Sequence, residues 1–306
     1  MSGIMPYAGL VSFLRAPAHL EKGLPHVVIM GVPTDLGTSH RPGARFGPRA
    51  IREASMQYAY DPVEDGLYDI ELGRTVLKGL RIEDRGDIPL EPADPEGNLD
   101  AIEEAVRKLF REKVFPVFLG GDHSITYPVL KGLADPEVFL VHLDAHADFD
   151  STFESPFTHG SAMRMICEEG LVAEIVQVGL RGLLSDREDV MEARRRYGVR
   201  QFTAQQVEER GLDPVLEAIP EGRPLYLSLD IDVFDPSLAP GTGTPEPGGL
   251  TYRQVRSLIT ALTERNPFIG MDVVEVNPHC DPGGITSLLA ARVVIDTLGA
   301  LNFPSR

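Results

Sequence analysis

Short apolar runs alternate with helical patterns along most of the chain. Six of the runs have the length and the unbroken apolar character of strands that are buried on both faces. They occupy residues 26–33, 115–122, 138–146, 174–180, 224–233 and 268–277. Helical spacing follows Asp94, Asp186 and Thr251, which are residue types that cap helices well. Because such an alternation joins parallel strands through helices, it predicts an α/β fold with a mainly parallel sheet and helices on both faces.

The sequence offers no clear place to divide the chain into domains. Its 306 residues suffice for one large α/β domain or two small ones. Residues 56–98 are rich in Asp, Gly and Pro, and we expect them to run over the surface before the alternation resumes. No repeat, low-complexity tract or linker separates two halves. We therefore predict a single domain over residues 1–306.

Charge and composition argue against several classes of function. The formal net charge of -17 creates a field that repels nucleic acid and anionic lipid. No apolar run approaches the roughly 18 residues that a membrane span requires. The two cysteines, Cys167 and Cys280, form neither a CxxC pair nor a disulfide framework. We therefore expect a cytoplasmic protein that binds neither nucleic acid nor membrane and that attracts a cationic ligand.

Histidines and aspartates close three of the predicted strands. Ligands of open parallel sheets bind beyond the carboxyl ends of the strands. One strand ends in "GGDH", another in "DAHAD" and a third in "DID". Residues two apart in an extended chain project from the same side, so each motif should present its groups together. The six groups are His123, Asp144, His146, Asp148, Asp230 and Asp232.

Four carboxylates in one place favour a metal site. They repel one another and raise each other's pKa values unless cations neutralise them. Two divalent ions suit six ligands better than one, because a carboxylate can bridge. Oxygen and imidazole ligands without thiolate favour Mn²⁺ over a structural Zn²⁺, although Ni²⁺, Co²⁺ and Zn²⁺ stay open. Each residue alone could simply cap a turn or pack in the core, but the three motifs together indicate a metal centre.

The strings "FLGGDHSITYP", "VHLDAHADF" and "SLDIDVFDPSLAPGTGTPEPGG" resemble, in this order, the three signature regions of the ureohydrolases, the family of arginase and agmatinase. The N-terminal "GVPTDLGTSHRPGARFGPRAIREAS" looks most like the agmatinase branch. The resemblance extends over nearly the whole chain. It implies a three-layer α/β/α sandwich around a mainly parallel sheet of about eight strands, two Mn²⁺ per subunit, and a homo-oligomer, either a trimer or a hexamer.

The resemblance also implies a role for each site residue. One ion should be bound by His123 and Asp148, the other by His146 and Asp232, with Asp144 and Asp230 bridging. Asp148 and His159, the latter in "FTHG", would pass a proton to the departing amine, although the spacing of His159 also fits an ordinary loop histidine. Glu275 would receive the guanidinium through two hydrogen bonds, although without the resemblance it reads as a strand-end surface residue.

The residues after the second motif bear on the choice of substrate. Arginases commonly carry an asparagine where this chain has Asp150. A carboxylate there, with Glu154 in the same loop, would repel a substrate carboxylate and attract an ammonium group. A small cationic guanidino substrate is therefore expected, and agmatine, which yields putrescine and urea, is the first choice. A guanidino acid such as 4-guanidinobutyrate is the alternative if Arg41 or Arg181 holds its carboxylate, and free guanidine is a third.

Two other classes of protein and several unassigned residues stay open. Arginine is a less favoured substrate. A related one-zinc deacetylase would not need both aspartates of the third motif, and an inactive scaffold would be expected to have lost ligands. His142 has no ligand counterpart in the family and should be either a packed histidine or one that contacts a metal ligand from outside. His279 and Cys280 lie close enough to Glu275 to line the pocket, and His40 receives no role.

Overall fold

A parallel sheet of eight strands forms the centre of the computed structural model, which describes residues 5–92, 94–151 and 157–303. The sheet contains β1 (Val27–Val32), β4 (Ile82–Asp87), β5 (Phe115–Gly120), β6 (Phe139–Leu143), β7 (Glu174–Leu180), β8 (Arg200–Thr203), β9 (Leu225–Asp230) and β10 (Phe268–Val274). A small antiparallel hairpin consists of β2 (Leu67–Asp69) and β3 (Arg74–Val76). The order in the sheet is β4-β1-β5-β10-β9-β6-β7-β8, and every neighbouring pair is parallel.

Helices cover both faces of the sheet, as the sequence predicts. One face packs against α1 (Gly47–Ser55), α6 (Ala204–Arg210), α7 (Asp213–Ala218), α8 (Tyr252–Arg265) and α9 (Ile285–Ala300). The other packs against α2 (Pro95–Glu112), α3 (Thr126–Leu133), α4 (Ala162–Glu168) and α5 (Arg187–Tyr197). The three-layer α/β/α architecture that the resemblance implies is therefore confirmed, with eight strands in its central sheet.

Along each strand, successive side chains pack alternately into the two apolar cores. In β6, Phe139, Val141 and Leu143 join one core, whereas Leu140 points into the other. All five residues of this strand are buried, which explains why its sequence is almost wholly apolar. His142 is the exception within the strand, and it is completely buried.

The last two strands of the sheet lie in its middle. The chain adds β6, β7 and β8 outward on one side, and then β9 and β10 fill the space between β6 and β5. The carboxyl ends of β5, β10, β9 and β6 therefore meet at the centre of one edge of the sheet. A crevice at such a reversal of strand order is where open α/β sheets bind their ligands.

The prediction for residues 56–98 was wrong in part. This segment contains the β2–β3 hairpin and also β4, an edge strand of the main sheet. β4 reads "IEDRGD" and β8, on the opposite edge, reads "RQFT". Edge strands pair on one side only and can carry polar side chains, so an apolar run is not a reliable signal for them.

Helix α9 belongs to the core. Residues 282–300 are long and apolar enough, by length and composition alone, to cross a membrane. Nine residues of α9 are nevertheless buried, including Ala290, Val294 and Leu298, and the helix packs against α1 and α8. A core helix of a folded domain passes the same test, so this helix gives no reason to place the chain in a membrane.

Candidate metal centre

The end of β5 places His123 at the centre of the crevice. Gly121 follows the strand, and a Cβ atom there would lie 1.8 Å from the carbonyl oxygen of Thr34, so only glycine allows this approach. Asp122 then caps the 3-10 turn His123–Ile125 through its side chain. His123 is 1% exposed, so the polar atoms of its ring must find their partners inside the protein.

Three aspartates surround this ring. Nδ1 of His123 lies 2.9 Å from Asp144 Oδ2, 3.0 Å from Asp148 Oδ2 and 3.2 Å from Asp230 Oδ2. Adjacent ligand atoms at right angles on an ion with bonds of about 2.1 Å are about 3.0 Å apart. The three separations therefore fit ligands of a common ion.

Turns, and not extended chain, bring the aspartates together. β6 ends at Leu143, and Asp148 adopts a φ of 49°, which is rare for a residue other than glycine. Its carbonyl accepts the amide hydrogen of Met163 at the start of α4 at 3.0 Å, a bond that helps to hold this conformation. Asp232 likewise lies in a 3-10 turn after β9. The expectation of co-facial residues along an extended chain was wrong, because both motifs extend past their strands.

Two groups of possible metal ligands share one residue, Asp144. The first group contains His123, His142, Asp144 and Asp148, and the second contains Asp144, His146 and Asp232. In the second, His146 Nδ1 lies 3.1 Å from Asp232 Oδ2 and 3.5 Å from Asp144 Oδ1. The grouping keeps the His123–Asp148 and His146–Asp232 pairs that the resemblance implies and adds His142. Asp230, the second bridging residue that the resemblance implies, is in neither group.

Several polar atoms of this cluster lack hydrogen-bond partners. Within the part of the chain that the structure describes, they include His123 Nδ1, Asp144 Oδ2 and Asp232 Oδ2, all shielded from solvent. Buried polar atoms normally have partners, and leaving them unpaired costs free energy. Clustered oxygen and nitrogen atoms without partners are suited to bind divalent cations, so the residues present fit a metal centre.

A hydrogen-bond chain sets the tautomer of His123. Asp272, completely buried in β10, accepts from Ser228 Oγ at 2.7 Å. With its hydrogen engaged there, the Ser228 oxygen can accept from His123 Nε2, 2.9 Å away. The proton of the neutral ring is thus held at Nε2, and the lone pair of Nδ1 faces the aspartates. A ring oriented in this way by an outer carboxylate is typical of metal-bound histidines.

The charges of the cluster also favour the binding of a cation. Burial raises the pKa values of Asp230 and Asp232, and repulsion by neighbouring aspartates raises them further. Burial also opposes ionisation of Asp144, but His142 and His123 outweigh it and hold its pKa below the usual range. A cation between these carboxylates would relieve the repulsion and favour their ionised forms.

His159 lies between Glu275 and Ser39. Its Nδ1 is 2.9 Å from Glu275 Oε1, and its Nε2 is 2.8 Å from Ser39 Oγ. Burial disfavours the charged ring, but the bond to Glu275 outweighs it, and the nearby charges of Asp148 and Asp122 help to raise the pKa of His159 to about 9. The backbone amide of Ser39 also donates to Nε2 at 3.2 Å, which favours a lone pair on that nitrogen, whereas the Ser39 hydroxyl can donate to the neutral ring or accept from the charged ring.

In the described part of the chain, one carboxylate oxygen of Glu275 has a partner and the other does not, and Glu275 is not among the residues that line the cavity described below. Its Oε1 accepts from the backbone amide of His123 at 3.0 Å and from His159, whereas Oε2 is buried without a partner among the described residues. The expected pairing through both oxygens is therefore not available in this arrangement. Glu275 has a φ of 63°, and strained residues of this kind concentrate at functional sites.

A small cavity opens over these groups. It is lined by Ser39, His123, His146, Asp148, Asp150, His159, Gly160, Leu184, Ser185, Asp230 and Thr244. Asp150 lines this cavity, and burial and then the charge of Asp148 raise its pKa to about 6. Glu154 lies outside the described residues.

The other residues that the sequence singled out lie elsewhere. Arg181 donates to backbone carbonyls, among them those of Asp232 and Glu246, with all three of its side-chain nitrogens. The ring of His279 stacks edge-on against Phe46, and neither His279 nor Cys280 lines the cavity. Their closeness to Glu275 in sequence does not bring these two residues to the cavity, because the chain turns away after Asn277, whose side chain caps the turn Pro278–Cys280.

Sequence reasoning missed Ser228, Asp272 and Ser39. Asp272 did give a signal, because a carboxylate in the middle of the run "FIGMDVV" must be buried and must find donors. Ser228 stands two residues before Asp230 and shares its side of β9. Ser39 belongs to the Gly/Pro-rich loop "GTSHRPGARFGP", which from the sequence could reach the site or a subunit interface, but nothing in the sequence connects Ser39 itself with His159.

The His159–Glu275 pair predicts a pH dependence of stability in the metal-free protein. The folded pKa of about 9 exceeds the unfolded value of about 6.5, so the stabilisation is complete below about pH 6.5 and is lost as the pH rises through 9. Between these limits wild type should lose about 2 kcal/mol more of its unfolding free energy than His159→Gln does. Urea unfolding in a chelator at both pH values measures the difference. Equal losses in the two proteins would contradict the pairing.

Comparison with known proteins agrees with this geometry. The Arginase family profile matches residues 25–299. The chain is 38% identical to proclavaminate amidinohydrolase of Streptomyces clavuligerus, covering 95% of this chain and 93% of that protein. Its solved structure superimposes with a TM-score of 0.86 over 96% of this chain and 98% of the other. Guanidinopropionase of Pseudomonas aeruginosa is 36% identical, over 95% and 92% of the two chains. Agmatinase of Bacillus anthracis is 35% identical, over 95% and 96%.

The chain belongs to the arginase family. It is an amidinohydrolase, and the resemblance to ureohydrolases that the three motifs carry is confirmed. Dependence on a binuclear metal centre is a property of this family, and the two ligand groups joined by Asp144 provide a suitable site.

Proposed function

We propose that this protein hydrolyses a small guanidino compound at two Mn²⁺ ions, and that its substrate is agmatine, which it converts to putrescine and urea. The observation that carries the proposal is the pair of ligand groups that share Asp144 beside the open oxygen of Glu275. His123 and Asp148 would hold one ion, His146 and Asp232 the other, and Asp144 and Asp230 would bridge. We further propose a cytoplasmic homo-oligomer, a trimer or a hexamer.

The bound ions would supply a nucleophile by lowering the pKa of water toward neutrality. The chain's own residues orient the guanidinium. Oε2 of Glu275 has no protein partner among the described residues and can accept one of its N–H groups. A charge-assisted bond of this kind is stronger than a neutral one and fixes where the reacting carbon lies. Forming the new C–O bond and breaking the C–N bond to the alkyl group then gives urea and an amine.

The departing amine needs a proton. His159 lines the cavity, and its raised pKa of about 9 means that the metal-free site carries it charged at neutral pH. It is therefore ready to act as a general acid. Asp148 lies beside His123 on the same cavity and can relay a proton from the attacking water.

The tail of the substrate faces a carboxylate. Asp150 lines the cavity, and its pKa of about 6 leaves it charged at neutral pH, which favours an ammonium tail. Arg181 cannot easily compensate, because its donors are engaged with backbone carbonyls. Both facts support agmatine over a guanidino acid.

One observation supports a guanidino acid as the second candidate. Among the described residues, Arg41 makes one side-chain hydrogen bond, from Nε to the carbonyl oxygen of Gly243 at 3.0 Å. This bond places the exposed Arg41 next to Thr244, which lines the cavity, and leaves its terminal nitrogens for a ligand carboxylate. The related guanidinopropionase and agmatinase differ by one percentage point in identity, so likeness alone does not decide between the substrates.

The test is release of urea from a panel of guanidino compounds by the Mn²⁺-loaded protein. Agmatine should give the highest kcat/KM among agmatine, arginine, guanidinobutyrate, guanidinopropionate and guanidine. A guanidino acid in first place would replace agmatine with the second candidate. No urea from any of the five would refute the proposed function.

Asp150→Asn should narrow the preference for agmatine over guanidinobutyrate. One partly solvated charge contact that changes sign is worth about 1 to 3 kcal/mol, or roughly tenfold to a hundredfold in kcat/KM. The change should appear chiefly in KM, because the tail lies away from the reacting carbon. Asp65→Asn, at an exposed aspartate, is the matched control. An unchanged ratio in Asp150→Asn would remove Asp150 from the tail site.

A further inference from the structure

Residues 149–151 follow the candidate ligand Asp148 and connect the cavity with two helices. Asp150, the middle residue, lines the cavity, and its amide donates to the carbonyl oxygen of Gly160 at 2.7 Å. Among the residues that the structure describes, none donates a hydrogen bond to the carboxylate of Asp150. Gly160 leaves room for this carboxylate, because a Cβ atom there would lie 2.5 Å from Asp150 Oδ2. The backbone must therefore determine where the carboxylate lies.

An ion pair between α4 and α5 holds the backbone on both sides of Asp150. Arg164 of α4 donates from Nε to the carbonyl oxygen of Phe149 at 3.0 Å and from Nη2 to Asp189 Oδ1 at 2.7 Å. Asp189, in the first turn of α5, accepts from the amide of Ser151 at 3.0 Å and from its hydroxyl at 2.7 Å. The pair thus binds the residue before Asp150 and the residue after it.

The ion pair is largely shielded from solvent. The side chains of Arg164 and Asp189 are 12% and 8% exposed. Hydrogen bonds between charged groups are shorter and stronger than neutral ones. The same two helices also enclose the buried ring of Phe149. The guanidinium of Arg164 lies 4.9 Å from the centre of this ring, and the ring of Tyr197 in α5 lies 5.5 Å from it. Both helices therefore hold the segment by its side chain as well as by its backbone.

We infer that Arg164 and Asp189 position Asp150 and thereby set the preference for the tail of the substrate. Neither of the two is among the residues that line the cavity, so both act through the backbone of residues 149–151. Asp148 is held separately, by the bond from the amide of Met163 to its carbonyl oxygen. This positioning role rests on the proposed function, in which Asp150 faces an ammonium tail. Loss of the ion pair should therefore weaken binding of the tail and spare the metal centre and the reacting carbon.

The test is a double-mutant cycle between Asp189→Ala and Asp150→Asn, measured as the ratio of kcat/KM for agmatine to that for guanidinobutyrate. Asp189→Ala should narrow the ratio by roughly threefold to thirtyfold through KM, with the manganese content of wild type and kcat for agmatine within about twofold. In the Asp150→Asn background it should change the ratio by less than about twofold, because the positioned carboxylate is gone. Glu188→Ala, at an exposed glutamate of the same helix turn, is the control for the lost charge.

Arg164→Met separates positioning from a direct effect of charge. Methionine keeps the length of the apolar stem against Phe149 but donates no hydrogen bond. Loss of a positive charge near the tail would by itself widen the preference for an ammonium group, whereas loss of the positioning bond should narrow it. A narrower ratio in both Arg164→Met and Asp189→Ala supports the positioning role. A wider ratio in Arg164→Met would overturn it.

Equal narrowing by Asp189→Ala in both backgrounds would also overturn the positioning role, because independent contributions add. An unchanged ratio in Asp189→Ala, where Asp150→Asn narrows it, would do the same while leaving the proposed function intact. An unchanged ratio in Asp150→Asn itself would refute the proposed tail contact, and the positioning role would fall with it. Thermal unfolding checks that each variant folds. Should Asp189→Ala not fold, Arg164→Met takes its place in the cycle, with the same expected loss of effect in the Asp150→Asn background.

Discussion

Asp144→Asn should abolish metal binding at one or both positions and lower turnover by roughly a thousandfold or more. Asp144 is the one residue that belongs to both ligand groups, with Oδ2 beside His123 and Oδ1 beside His146. A neutral amide keeps the shape of the side chain but removes the charge that a bridging ligand supplies. The loss of an ion that lowers the pKa of water removes several kcal/mol of transition-state stabilisation, which corresponds to about this factor.

The measurement is the ratio of manganese to protein after dialysis, together with urea release. Asp100→Asn, at an exposed aspartate of α2, should retain two ions and full turnover. Two ions per chain in Asp144→Asn with unchanged affinity would show that the centre does not depend on a shared carboxylate. The bridging arrangement would then be wrong.

His159→Asn should retain both ions and still lower kcat by roughly a hundredfold or more. His159 is not a member of either ligand group, and its contacts are Glu275 and Ser39. Asparagine can keep a hydrogen bond to Glu275 but cannot carry a proton to the amine. Removal of a general acid or base usually costs 10² to 10⁴ in rate, by order of magnitude.

A solvent isotope effect and the pH profile distinguish proton transfer from a structural role. Wild type should lose kcat at alkaline pH as His159 gives up its proton, and His159→Asn should lack that limb. His19→Asn is the control, because His19 is exposed and distant in the sequence from every motif. Unchanged turnover with the ions retained would return His159 to the role of a loop residue.

The centre could be predicted from sequence to the extent that its residues end strands. GGDH, DAHAD and DID each follow an apolar run, and parallel strands must bring their carboxyl ends to one edge. The local geometry could not be predicted, because Asp148 depends on a left-handed φ that α4 stabilises. The edge strands β4 and β8 could not be predicted from the sequence for a different reason. Their sequences are polar and contain no apolar run.

The residues that orient His123 and His142 by hydrogen bonds could not be predicted from the sequence for a third reason. Ser228 and Asp272 act on His123 from strands more than 100 residues away in the chain. Gln177 acts on His142 only because β7 pairs with β6 in a particular register. Register follows from the packing of the whole sheet, and one residue of slip would reverse the side that each group faces.

The position of β9 and β10 in the sheet also determines at what stage of folding the metal site can form. Until residues 225–274 are in place, β5 and β6 each have an unpaired edge at what will be the middle of the sheet. Such edges are open to pairing with other chains, and closing them requires contacts between segments far apart in sequence, which form slowly. A chain emerging from the ribosome therefore holds His123 and Asp144 long before Asp230 and Asp232 reach them. Metal capture with the full ligand set must be among the last events of folding.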